Sequence, residues 1–166
     1  MNRKIKYFEF PNGNEDLHLE FEFSTYVLMM YYAAQLDYNN ALKLFHATIT
    51  EWNYRVEYEL NEEGINSDNV TAHFVPSEIA DSILFINNQL IPALIAEPLE
   101  NIVDKYGGKV NFEATYNDNN TFLLFLGIYD EEYYGDKYEI IAFLKVIRNI
   151  FQESLNTNTP YHTWVW

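Results

Sequence analysis

Hydrophobic and polar positions alternate twice near the start of the chain. In residues 3–10, Lys4, Lys6 and Phe8 fall on one side and Ile5, Tyr7 and Glu9 on the other. In residues 17–23, Leu17, Leu19, Phe21 and Phe23 share one face and His18, Glu20 and Glu22 the other. A period of two predicts half-buried strands. The turn residues Pro11-Asn12-Gly13-Asn14 between them make the pair a hairpin.

The period then changes. Ser24 is placed to cap a helix beginning at Thr25, where Val27, Leu28, Tyr31, Ala34 and Gln35 follow at helical spacing. Tyr26 to Ala34 is apolar nearly all round, which predicts a central helix. Asp37-Tyr38-Asn39-Asn40 interrupts it. Residues 41–63 carry two patterns. Leu42, Phe45, Ile49, Trp52, Val56 and Leu60 step by three or four, while Thr48, Thr50, Trp52, Tyr54, Val56 and Tyr58 also suit a strand. The reading adopted is helix to about residue 50 and strand over 51–60, then a loop over 64–69.

Val70 to Val75 reads as a strand. Pro76 and Ser77 open a helix that buries Ile79, Ile83, Ile86 and Leu90, and Pro92 is expected to stop or kink it. A short helix from Pro98 buries Leu99, Ile102 and Val103 and ends at Gly107-Gly108. Lys109 to Tyr116 and Thr121 to Ile128 read as two strands of a hairpin around Asn117-Asp118-Asn119-Asn120. Asp136 and Glu139 resemble a capping box for a last helix lined by Ile140, Leu144, Ile147 and Phe151, with Lys145 and Arg148 on its polar side. Thr159 to Trp166 forms an edge strand, with Tyr161, Trp164 and Trp166 available to pack. The expected fold is a single α+β domain over 1–166, a mostly antiparallel sheet built from hairpins with several packed helices.

Composition narrows the function. Hydrophobic residues at 48% and aromatics at 17% provide for a core, which argues against disorder. The charge is strongly acidic: 25 acids against 10 Lys and Arg, net −15. Phosphate binding needs clustered bases, and the one local cluster is Arg3, Lys4 and Lys6, so direct nucleic-acid and anionic-membrane partners are disfavoured. The most apolar stretch, Ile79 to Ala96, is interrupted by Asp81, Asn87, Asn88, Gln89 and Pro92, and a membrane span is not expected. The absence of cysteine excludes disulfides and thiolate chemistry. Residues 1–10 lack the apolar core of a signal peptide, and the expected location is the cytoplasm.

No motif for chemistry emerges. His18, His46, His73 and His162 are scattered, with no HxxxH or HExxH spacing. The acidic loop 130–141 fails as a calcium loop, because position five would be Tyr134 and position twelve Ile141. Neither a GxSxG elbow nor a phosphate-binding glycine loop occurs, and paired acids such as Glu131-Glu132 are expected by coincidence among so many. No catalytic residue, metal or cofactor is therefore expected.

What stands out is acid threaded through aromatic residues. Trp52, Tyr54, Glu57, Tyr58, Glu59, Glu62 and Glu63 form one such patch, and Asp130, Glu131, Glu132, Tyr133 and Tyr134 a second. Carboxylates steer a basic partner in, and rings hold it by burying area. If 51–60 is a strand, Trp52, Tyr54 and Tyr58 share a face opposite Glu57 and Glu59, and those rings belong to the core.

The leading expectation is an acidic protein-binding inhibitor, such as a bacterial immunity protein that blocks the basic cleft of a cognate toxin nuclease. A variant is a phage anti-defence protein that imitates DNA. The competing expectation is an enzyme or small-ligand binder with a pocket lined by Tyr31, Tyr32, His46, Trp52 and His73. A third is a subunit whose apolar excess is buried in a homo-oligomer.

Overall fold

The computed structural model describes residues 4–50, 70–119, 121–128 and 131–166, with the backbone alone of Leu124. It is an α+β fold in which a three-stranded antiparallel sheet packs on helices. Strand β1 (Ile5–Glu9) pairs with β2 (His18–Glu22) as the expected hairpin, in register from Ile5↔Glu22 to Glu9↔His18. The other side of β1 pairs with β3 (His162–Val165), the expected C-terminal strand, from Lys6↔Val165 to Glu9↔His162. The backbones of Ile5 and Trp166 exchange both hydrogen bonds, extending that ladder by one rung.

Helix α1 (Phe23–Leu36) leaves β2 directly, and eleven of its fourteen residues are buried. It starts two residues before the expected Thr25, and Ser24 is not its cap. The Ser24 hydroxyl donates to the Tyr133 carbonyl instead, and Thr25 Oγ1 accepts the Gly135 N–H at 2.8 Å. Those bonds pin the segment 133–135 to the start of the helix. At the far end Asp37 breaks α1 and caps α2 (Tyr38–Thr48), accepting the Asn40 N–H at 3.2 Å. The segment Val70 to Val75 is not a full strand. It touches β3 through the single bridge Thr71↔His162, with Ala72 N–H on the Tyr161 carbonyl and Thr163 N–H on the Val70 carbonyl.

Helix α3 (Pro76–Phe85) runs through a π-helical turn (Ile86–Leu90) into α4 (Ile91–Ala96). Pro92 was expected to stop or kink this run and does not stop it. It lies at the start of α4, where a missing N–H costs little, and the π turn just before it shifts the hydrogen-bond pattern so that the chain stays helical. Ile79, Ile83, Ile86 and Leu90 are buried as expected. Pro76–Ala96 is long and apolar enough to cross a membrane by length and composition, against the expectation drawn from its polar interruptions. In this fold it packs against α2 and the last helix.

The hairpin expected over 109–128 is absent. Lys109–Asn117 is helix α5, and Phe122–Phe125 is a 3-10 turn. Phe112 and Tyr116, four residues apart, are the buried pair of α5, while Val110 is almost fully exposed. The asparagine-rich stretch closes the helix: Asn119 Nδ2 donates to the Tyr116 carbonyl, and Asn119 Oδ1 accepts the Thr121 N–H at 3.1 Å. Between α4 and α5 a short 3-10 helix (Ile102–Tyr106) starts four residues after Pro98, so Leu99 is exposed rather than buried. Gly107 ends it at φ 87°, a left-handed conformation that glycine adopts without strain. Helix α6 (Lys137–Thr157) buries Ile140, Leu144, Ile147 and Phe151, as its spacing predicts.

Among the described Lys and Arg residues, Lys6 and Lys137 are buried. Lys6 donates to the Thr48 carbonyl at the end of α2, under the rings of Phe8 and Tyr26, and Lys137 donates to the Glu97 carbonyl at the end of α4. Each places a cation at the negative end of a helix.

Candidate functional site

The outer face of the sheet brings acid and aromatic side chains together. Residues paired across an antiparallel sheet point to the same side, so the register sets a grid of three rungs. Glu22, Ile5 and Trp166 make one; Glu20, Tyr7 and Trp164 the next; His18, Glu9 and His162 the third. Tyr7 and Trp164 are stacked nearly flat, with centroids 5.0 Å apart and planes 6° apart. The His18 ring lies 3.6 Å from one oxygen of Glu9 and 3.5 Å from Glu20, and His162 lies 3.7 Å from the other Glu9 oxygen. Trp166 is 83% exposed. The opposite face, with Lys6, Phe8, Leu19 and Phe21, points into the core, so the alternation in sequence is what divides outer side from core side.

The second expected patch lies partly beside this face. Tyr133 is exposed, and its hydroxyl donates to the Glu139 carboxylate at 2.6 Å. That bond, with some burial, pushes the Tyr133 phenol up to about 12. Tyr133 and Glu139 join Ile5, Glu20 and Glu22 in lining a shallow groove of about 260 Å³. Its floor is the stacked pair Phe21 and Phe143. Asp136 accepts the Glu139 N–H at 2.9 Å and so caps α6, while the Glu139 side chain turns to Tyr133 instead of completing a capping box.

The rest of that patch has other roles. Tyr134 is half-buried, edge-on to Phe112, with its hydroxyl on Glu113 at 2.9 Å. Burial, then Glu113, raises its phenol far above the ordinary value. Its ring packs on Phe112 and its hydroxyl is engaged by Glu113. The Glu131 N–H donates to the same Glu113 carboxylate, and Glu132 is exposed. Asp130 lies outside the described residues, as do Trp52, Tyr54, Glu57, Tyr58, Glu59, Glu62 and Glu63, so the first patch and the strand expected over 51–60 receive no structural account.

Of the residues named for a pocket between sheet and helices, Trp52 lies outside the described residues, and the other four are placed as follows. Tyr31 sits among Tyr106, Phe112 and Tyr116 in the aromatic core. His73 is buried on the segment beside β3, 3.7 Å from Glu78. His46 is half-buried on α2, and burial, then the neighbouring His73, pulls its imidazole down to about 4. Tyr32 lines a different cleft, between α1 and α4. No group of three or more potential metal ligands stands at coordinating geometry among the described residues.

The face that sequence reasoning missed is the sheet face. Its signal was present: Ile5, Tyr7 and Glu9 were on one side of the first strand, and Glu20 and Glu22 on the polar side of the second. Only strand order places Trp164 beside Tyr7. No protein family, curated protein or solved structure matches this chain.

Proposed function

We propose that the protein is an acidic inhibitor that docks on a basic protein surface in the cytoplasm. The activity fits a bacterial immunity protein that neutralises a cognate nuclease toxin by occluding its active site. The observation that carries this reading is the outer sheet face, where the Tyr7–Trp164 stack is bordered by Glu9, Glu20 and Glu22. Carboxylates at net charge −15 steer a basic cleft toward the protein. A stacked ring pair on a hydrogen-bonded sheet is already ordered, so it gives up little freedom when buried by a partner. Tyr133 and Glu139 extend the same chemistry along one border.

The test begins with capture from nuclease-treated lysate of the native host, using tagged protein and washes at low and high salt. The captured protein is then purified and assayed for nuclease activity with and without the inhibitor. Reversal of Glu9, Glu20 and Glu22 to Lys is expected to slow association at least tenfold at low salt, and Trp164→Ala to raise the off-rate. Reversal of Glu57, Glu59, Glu62 and Glu63 runs in parallel as the competing patch. An on-rate unchanged by the first triple reversal and slowed by the second removes the sheet face; a purified client with no basic cleft removes the inhibitor reading altogether.

A further inference from the structure

A second site lies away from the sheet, where the end of α1 meets the end of α4. There a cleft of about 510 Å³ is open on one side, a volume in the range of small-molecule sites. Leu36, Ala93, Ala96 and Pro98 supply apolar wall, and Glu97, Lys105, Tyr32 and Tyr106 supply polar groups. Glu97 is largely buried and receives two donors on the same oxygen: the Tyr32 hydroxyl at 3.0 Å and Lys105 Nζ at 2.8 Å both reach Oε1. Its Oε2 takes no hydrogen bond from the described residues. The Lys105 bond, then that of Tyr32, hold the Glu97 carboxyl below the ordinary range against the opposing effect of burial.

Lys105 spends one of its three N–H groups on Glu97 and lies 5.8 Å from the Tyr32 ring centroid, with its ammonium still partly exposed. Tyr106 also lines the cleft, with its hydroxyl buried and without a hydrogen-bond partner among the described residues. The cleft thus offers a fixed negative and a fixed positive charge side by side and an apolar wall.

A lone anion brought to Lys105 meets the Glu97 carboxylate, and a lone cation brought to Glu97 meets the Lys105 ammonium. A ligand that carries both charges on one carbon, as an ammonium and a carboxylate, meets an opposite charge at each. We propose that this cleft binds a free amino acid with an apolar side chain, its ammonium on Glu97 Oε2, its carboxylate on Lys105 Nζ, and its side chain on the wall formed by Leu36, Ala93, Ala96 and Pro98. This site is separate from the docking face and does not depend on it.

Calorimetric titration of the full chain with L-leucine, L-methionine and L-phenylalanine at pH 7.5 tests the proposal. 4-Methylpentanoate and 3-methylbutylamine, which each keep one charge of leucine, are the comparators. At least one amino acid is expected to bind saturably, and both comparators to bind at least tenfold more weakly. Glu97→Gln and Lys105→Met are each expected to weaken binding at least tenfold. Absence of binding by all three amino acids to protein shown folded by circular dichroism overturns the proposal. So does equal binding of 4-methylpentanoate, which would make Lys105 a simple anion site, or undiminished binding by a folded Lys105→Met variant.

Discussion

The Tyr7–Trp164 stack lends itself to a double-mutant cycle. Trp164 is half-buried on β3, an outer strand of the sheet, and among the described residues its ring partner is Tyr7 on β1. Truncation to alanine takes away roughly 100 Å² of contact, about 2.5 kcal/mol at 25 cal/mol/Å² and an upper figure because unfolded chains already bury some of it. The stack adds a specific pairwise part. At 5.0 Å and 6° the rings are close to parallel within the favourable distance range, which corresponds to about 0.5–1.5 kcal/mol beyond area. Urea unfolding of wild type, Tyr7→Ala, Trp164→Ala and the double variant is expected to give a coupling of about that size, with each single variant losing roughly 2–3 kcal/mol. Trp166→Ala is the control, because its ring is exposed and its bonds to Ile5 are made by backbone, so it should shift stability by less than about 0.5 kcal/mol. Additivity of the two single losses to within about 0.3 kcal/mol would show that the rings do not stack in solution and would remove the preordered anchor from the proposed docking face.

Three further outcomes follow from particular residues. Asp136→Ala is expected to cost about 1 kcal/mol in urea unfolding, since it removes the cap on α6, and Asp136→Asn clearly less. Ser82 and Ser154 are fully buried on α3 and α6 with hydroxyls that lack partners among the described residues, so each Ser→Ala change should be neutral or stabilising by up to about 1 kcal/mol; a loss above that would reveal a hydrogen bond to a buried water. The folded imidazole of His46 titrates at about 4, below the value near 6.5 of an unfolded chain, so between these values the unfolded state binds more protons. Its contribution to stability is complete above about pH 6.5 and is lost as pH falls toward 4. The urea midpoint should therefore fall over that window, and His46→Gln should flatten the slope; an unchanged slope would show that His46 is solvated.

Legibility in the sequence depended on how many structures one pattern could serve. The hairpin of residues 5–22 was readable because strict alternation there has no helical equivalent. Helix α1 was readable because it is apolar on nearly every side, although its first residues were misplaced: Ser24 and Thr25 look like caps and instead tie down the backbone at 133–135. Residues 109–116 carry Val110, Phe112, Ala114 and Tyr116 at a spacing of two, which also contains the spacing of four. Burial chose Phe112 and Tyr116 and left Val110 in solvent, so the segment is a helix. The asparagines beyond it serve as a helix end as readily as a hairpin turn. The sheet face was legible on two strands and hidden on the third, because pairing of β1 with residues more than 150 positions away leaves no local trace. Tyr134 was read with its chain neighbours as part of an acidic patch, and its contact with Phe112 leaves no trace in the local sequence.

The partner strands of β1 arrive at very different times. His18–Glu22 follows within a dozen residues, whereas His162 lies roughly 150 residues later, about 8–30 s of synthesis at 5–20 residues per second. Through that interval one side of β1 stays an open ladder, and a two-stranded hairpin alone is marginally stable in water. Tyr7 has no Trp164 to lie against until the strand emerges. A ribosome-bound chain therefore lacks one column of the grid, and a product cut short before residue 162 would carry the acids of the first two strands without the aromatic surface that completes them.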